Sequence, residues 1–250
     1  MRIHAIACDV MARPVYLAAA RSPHVVDVRL FERGLHADPR DLRTRLQEAI
    51  DEAPASAEVV VLGYGLCGGA TAGIEARRVP VVLPRAHDCI TLFLGARERY
   101  EAETAGQATY WYVADQLERT DGVRPGAGSG AGGLGGDTDD GIEAVRAAYV
   151  ATYGEDNADY LMEVMGAWKA HYGRGAFIAM GVTDEAGAEA RAREQAERRG
   201  WAFERVEGDM VLIRRLLHGD WDAADMLVLQ PGERLAMSYD DGVVKAVPAG

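Results

Sequence analysis

The sequence predicts an α/β protein with a Rossmann-like, mostly parallel sheet and helices on both faces. Two observations carry this prediction. Short apolar runs rich in Val and Ile recur along the chain, and segments with helical periodicity follow them. Runs of this kind are typical of parallel strands that are buried on both faces. With 250 residues, the chain is also long enough to bury a substantial core in one or two domains.

The first half of the chain carries five predicted strands and three predicted helices. The clearest helix signal begins at Asp38, a capping acid, which Pro39 follows at the first helical position and Asp41 in the first turn. The strands are expected at 2–8, 25–31, 59–62, 81–84 and 109–113, and the helices at 11–20, 39–52 and 90–103.

A glycine-rich stretch at 121–141 divides the chain. It predicts a flexible loop between an α/β lobe at 1–120, which carries all the cysteines, and a second α/β half at 142–250. Strands and helices alternate in that second half, which implies a parallel β-α-β-α-β unit. The two halves are either separate lobes or parts of one sheet. The strands of the second half are expected at 176–182, 201–206 and 226–229.

Composition argues against several classes of function. A net charge of −12 disfavours nucleic acid as a partner, because such binding depends on Lys and Arg that neutralise phosphates. No stretch approaches the roughly 20 apolar residues that cross a bilayer, so no membrane partner is expected. The chain shows no secretory signal pattern, and three cysteines in strand-end motifs do not suggest a disulfide framework. A reducing cytoplasm is the expected compartment.

All three cysteines follow predicted strands. Cys8 ends the first strand, Cys67 follows the third and Cys89 follows the fourth. Ligands of parallel sheets bind outside the carboxyl ends of the strands, so three thiols distant in sequence are expected to face one crevice. Thiolates ligate zinc and iron–sulfur clusters. The alternative is that the three are small buried side chains, since free Cys is among the most buried residue types.

Glycines surround the second cysteine in the segment 63–68. Gly65 and Gly68 let the backbone turn tightly and approach a ligand, and the N–H groups of such a turn favour an anion or a thiolate. With Tyr64, these residues are the candidate cofactor contacts. The spacing matches no nucleotide-binding fingerprint.

Four further residues beside the cysteines are candidates for chemistry. His87 is a metal ligand, an acid/base group or a structural histidine. Asp9 and Asp88 each adjoin a cysteine; they either cap the following helices or transfer protons. Arg85 is a candidate clamp for a substrate carboxylate.

Cys8-Asp9 and the segments 63–68 (GYGLCG) and 84–89 (PRAHDC) resemble an uncharacterised bacterial and archaeal family built around a domain of unknown function. The resemblance covers most of the chain. Genes of such families often lie near corrinoid-dependent methyltransferase genes, which implies a corrinoid methyltransferase system as a partner. The His-x-Cys spacing at 87–89 is also similar to the zinc site of thiol-methylating methyltransferases, in its ligands alone.

Three functions follow as hypotheses. The first is an enzyme with an open-site four-iron, four-sulfur cluster on three cysteines, acting as a lyase on a small anionic substrate; its layout is similar to that of quinolinate synthase and the 2-hydroxyacyl dehydratases. The second is a zinc-dependent thiol or methyl-transfer protein. The third is a non-catalytic carrier or accessory protein of a corrinoid system.

Overall fold

A computed structural model describes residues 1–35, 38–106, 108–119, 150, 154–155, 172–240 and 242–250. The expected α/β class is confirmed. Elements are numbered over these residues. The strands are β1 (Arg2–Cys8), β2 (Val25–Phe31), β3 (Val59–Gly63), β4 (Glu75–Ala76), β5 (Val81–Pro84), β6 (Thr109–Tyr112), β7 (Arg174–Ala179), β8 (Ala202–Glu207), β9 (Met226–Leu229), β10 (Glu233–Met237) and β11 (Val244–Pro248). The helices are α1 (Ala12–Ala20), α2 (Pro39–Asp51), α3 (Cys89–Leu94), α4 (Arg97–Thr104), α5 (Ala114–Glu118), α6 (Ala186–Arg198) and α7 (Val211–His218).

The first sheet has the order β2-β1-β3-β5-β9, with the first four strands parallel. Every residue of β3 is buried, because helices cover the central strands. Helices α1, α3 and α7 pack on one face. The amphipathic α2 buries Leu42 and Leu46, and the Asp38 carboxylate caps it by accepting from the N–H groups of Arg40 and Asp41.

The expectation that residues 226–229 continue a parallel unit of the second half is wrong. Strand β9 pairs antiparallel with β5 in the first sheet, so that the apolar edge of β5 is covered. Strands β7 and β8 instead form a parallel sheet with β6, in the order β6-β7-β8. Each half therefore contributes a strand to the other's sheet. The predicted loop at 121–141 lies outside the described residues.

Two further features differ from the sequence-based expectations. The helix expected at 90–103 is two helices, because Gly95 adopts a left-handed conformation (φ 80°) at the end of α3. A small antiparallel sheet of order β11-β10-β4 forms near the C-terminus. Among the described residues, no helix is long and apolar enough to span a bilayer.

The side on which successive strands are added to the sheet changes between β1 and β3, although the two strands are parallel. From β1 the chain goes outward to β2 on one side, and from β3 it goes outward to β5 on the other. The loops after β1 and β3 therefore diverge, and open α/β sheets bind ligands in a crevice at the carboxyl ends of strands arranged in this way. Gly63 allows the two strands to meet closely there, since a Cβ on it would lie 2.8 Å from the Cβ of Ala7.

Candidate functional site

The three cysteines lie around this crevice. Cys8 is the last residue of β1, Cys67 follows β3, and Cys89 is the first residue of α3 after β5. Cys8 is buried, and the other two are partly buried. They are close enough that burial, together with negative charge on Asp88, Cys67 and Cys8, raises the pKa of Cys89 well above its usual value.

No group of three or more His, Cys, Asp and Glu side chains is placed to hold a single metal ion within the part of the chain that the structure describes. The assignment of Cys8, Cys67, Cys89 and His87 as metal ligands therefore stays a prediction. What the structure supplies is the shared location of the three thiols and their mutual electrostatic influence.

Burial raises the pKa of all three thiols and so favours their protonated form. Burial raises the pKa of Cys8 to about 12, and the nearby charges of Asp9 and Cys67 act in the same direction. Burial and the charge of Asp88 raise the pKa of Cys67 to about 12. A neutral thiol is a poor nucleophile and a poor ligand, whereas a bound cation reverses this preference and deprotonates it.

The loops that carry Cys67 and Cys89 are joined by their backbones. The Leu66 N–H donates to the Ala86 carbonyl and the Cys67 N–H donates to the His87 carbonyl, both at 2.8 Å. This contact requires Gly65, because a Cβ there would lie 2.7 Å from the Asp88 nitrogen. Gly65 thus serves loop-to-loop packing, and its role as a cofactor contact stays a prediction.

Gly68 faces open space, as does the following Gly69. The φ of Gly68 is 65°, and nothing lies within 4 Å of the position that a Cβ would occupy. Cys67 itself has a φ of 48°, a conformation that is uncommon outside glycine and its polar substitutes. Backbone strain of this kind is concentrated at ligand-binding loops.

The Tyr64 hydroxyl lies among the thiols without a hydrogen-bond partner. The residue is 4% exposed, and its oxygen is fully buried. Burial raises the pKa of Tyr64 well above its usual value, and the charges of Cys8 and Cys67 add to the effect. A buried hydroxyl left unpaired lowers the stability of the fold by about 1–3 kcal/mol, and it remains free to donate to a ligand.

The two aspartates have different local roles. Asp88 caps α3 by accepting from the Ile90 N–H at 3.0 Å, and the Tyr100 hydroxyl donates to it at 3.2 Å. Burial nevertheless raises the pKa of Asp88. Asp9 caps no helix; it accepts from the Arg33 N–H at 2.8 Å, and burial raises its pKa too.

Among the described residues, the side chains of His87 and Arg85 form no hydrogen bond with the three cysteines. The His87 side chain is exposed, while its carbonyl holds Cys67. The Arg85 guanidinium donates to the backbone carbonyls of Ala223 at 2.9 Å and Gly242 at 3.0 Å, and also to that of Val244. These bonds tie β5 to the C-terminal hairpin, and the role of Arg85 as a clamp for a substrate carboxylate stays a prediction.

Arg33, in the turn after β2, was missed by the sequence reasoning. It is 4% exposed, and both terminal nitrogens of its guanidinium are buried without a hydrogen-bond partner. Burial lowers its pKa, against the opposing charges of Asp9 and Cys8, which lie nearby. The sequence signal that could have identified Arg33 is its position, because it lies just after a strand, as Cys67 and Cys89 do.

A family profile described as "Protein of unknown function (DUF1638)" matches residues 30–217, three quarters of the chain. The matched span includes Arg33, Tyr64, Cys67 and Cys89, and it begins after Cys8. No match was found among curated proteins or among solved structures.

Proposed function

The chain belongs to the DUF1638 family of proteins of unknown function, and we propose that it is a metal-dependent enzyme of small-molecule metabolism. Its metal centre would be held by Cys8, Cys67 and Cys89. The proposal includes a reducing compartment such as the cytoplasm, because free thiols persist there.

The observation that carries the proposal is the convergence of all three cysteines on one crevice. They come from three different strand ends, and two of them raise the pKa of the third. Soft thiolate ligands favour zinc, copper(I) and iron–sulfur clusters. Free Cys packs readily as a small apolar side chain, but the buried Tyr64 hydroxyl among the thiols has no partner, and it costs stability unless a ligand pairs with it.

A four-iron cluster fits the arrangement better than zinc does. A single zinc ion needs its ligands within about 2.3 Å of one point. A cluster is an extended group whose cysteines bind different irons, so its thiols need not meet at one point. With three cysteine ligands, the cluster would supply an open iron that acts as a Lewis acid on a substrate oxygen.

The residues around the thiols suit a lyase-type step, in which a leaving group must be protonated. Tyr64 offers an uncommitted hydroxyl to a bound molecule. Asp88 keeps its proton to higher pH than a solvated carboxyl, because it is buried, and it is positioned by its bonds to Ile90 and Tyr100. Such a carboxyl is a candidate general acid. The exposed His87 lies next to it in the chain.

The test is the content of iron, zinc and acid-labile sulfide, with an absorbance spectrum, on protein purified without oxygen. Wild type is compared with Cys67→Ser and with two controls that keep all three thiols. These are His87→Ala, which removes the fourth predicted ligand, and Arg193→Met on the surface of α6. We expect about four irons and four sulfides per chain in wild type and in both controls, and loss of both in Cys67→Ser.

Other outcomes redirect or overturn the proposal. About one zinc per chain, lost in both Cys67→Ser and His87→Ala, would replace the cluster by a zinc site for thiol or methyl transfer, and would give weight to a corrinoid methyltransferase system as partner. Absence of any metal after reconstitution with iron and sulfide, and after incubation with zinc, would sink the proposal.

A further inference from the structure

Arg33 presents a buried positive charge that the described residues do not neutralise. Its two terminal guanidinium nitrogens are inaccessible and form no hydrogen bond. No carboxylate among the described residues forms an ion pair with it, whereas Asp115 and Glu103 each pair with other arginines. An arginine cannot avoid this cost by losing its proton, because a guanidinium stays protonated in proteins at any pH at which they fold.

The partly buried Arg174 shows how such a charge is usually accommodated. Arg174, with a side chain 12% exposed, forms ion pairs with Glu103 and Glu204, both at 2.7 Å. Taking a charge out of water without a partner is among the costliest arrangements in a folded protein, so an unpaired buried guanidinium calls for an anion from outside the chain.

The nearby carboxylates are already committed to other donors. Asp9 Oδ1 accepts from the backbone N–H of Arg33 itself, at 2.8 Å. Asp115 accepts from the Arg13 N–H at 2.8 Å and from the Arg119 Nε at 3.2 Å. Arg119 is also close enough to act on Arg33 as a second positive charge. These carboxylates are therefore engaged elsewhere, and the two terminal nitrogens of Arg33 find no acceptor among them.

The guanidinium lies next to the thiol crevice. Arg33 follows β2, the Asp9 carboxylate links it to the end of β1, and Cys8 is among its nearest electrostatic neighbours. We propose that Arg33 binds a compact oxyanion, the carboxylate or phosphate group of a small molecule, through the paired donors of its guanidinium. That this anion is the substrate rests on the proposed function; the binding of the anion does not.

The test measures anion binding by the full chain, with and without metal. Inorganic phosphate and acetate are titrated by calorimetry and by thermal unfolding in a chloride buffer of matched ionic strength. The variants are Arg33→Met, which removes the charge, and Arg33→Lys, which keeps the charge without the planar fork. Arg193→Met removes the same charge from an exposed arginine of α6 and serves as control.

We expect saturable binding of at least one anion by wild type and by Arg193→Met, an affinity at least about tenfold lower in Arg33→Lys, and none in Arg33→Met. Preference for phosphate or for acetate identifies the group that is bound. No binding by wild type beyond that of chloride would overturn the inference, as would unchanged binding in Arg33→Lys; the lysine variant carries the test if Arg33→Met does not fold.

The fate of the metal centre is read separately. Cys67→Ser should lose the metal and keep the anion site, because Cys67 is not among the main electrostatic neighbours of Arg33. Metal without anion binding overturns this inference alone, and anion binding without metal overturns the proposed function alone.

Discussion

Substitution of Gly65 by alanine tests whether the two cysteine loops form one unit. The added Cβ would lie 2.7 Å from the Asp88 nitrogen and 2.8 Å from both the Ala86 oxygen and the Asp88 Cα. All three are backbone atoms, so no side-chain rotation can relieve the clash, and the loops must separate.

The expected loss of stability is about 3–5 kcal/mol. Separation of the loops breaks the hydrogen bonds from Leu66 to Ala86 and from Cys67 to His87, each worth about 1 kcal/mol net. Overpacking in a site that cannot shift adds about 1–3 kcal/mol. The same movement takes Cys67 away from Cys89, so the metal content should fall with the stability.

The free energy of unfolding is measured in urea on reduced, metal-free protein, and metal content on reconstituted protein. Gly68→Ala is the matched control: its position has a positive φ, which costs about 1–2 kcal/mol for a residue with a Cβ, but no neighbour lies within 4 Å. Equal losses in the two variants would refute the clash argument. Unchanged metal content in Gly65→Ala would refute the claim that this contact positions the thiols.

Two further predictions concern buried ionisable groups. Asp115→Asn should lose about 3 kcal/mol in urea unfolding, because the carboxylate is 3% exposed and paired with Arg13 and Arg119. Glu189→Gln, which breaks a solvent-accessible pair with Arg193 on α6, should lose less than about 1 kcal/mol, and similar losses in the two variants would contradict this prediction. Burial raises the pKa of Cys8 from its ordinary 9.0 to about 12, so the folded state favours the protonated thiol. The stability present below pH 9 is therefore lost as the pH rises toward 12, and the loss reaches about 4 kcal/mol. Unfolding of Cys8→Ala should depend less on pH in this window, and identical pH profiles would exclude Cys8 as the cause.

Local signals predicted the elements of the first half well. Strands β1 and β2 begin and end where their apolar runs do, and α2 begins at Pro39 behind its Asp38 cap. These features depend on neighbours within a few residues, which the sequence displays directly. The break at Gly95 was missed because a glycine inside a helical pattern is compatible with continuation and with termination.

Pairing between distant segments was predicted less well. The apolar run at 226–229 is recognisable as a strand, but its partner is β5 and its direction is antiparallel. An isolated apolar run contains no mark of its neighbour, because the sheet edge that it covers is created by the rest of the fold. The hairpin of β10 and β11, which holds the Arg85 side chain, was missed because the notable features of that segment are turn residues.

For the candidate site, the sequence by itself determined the type of chemistry: three thiols at strand ends, a tyrosine between glycines, and two carboxyls beside the thiols. Only the tertiary structure decided which of these groups are committed. It places Gly65 against a neighbouring loop, occupies Arg85 with carbonyls, and leaves Tyr64 and Arg33 buried without partners. The reason is physical: composition and spacing specify which donors exist, whereas burial and pairing depend on what the fold brings within hydrogen-bond distance.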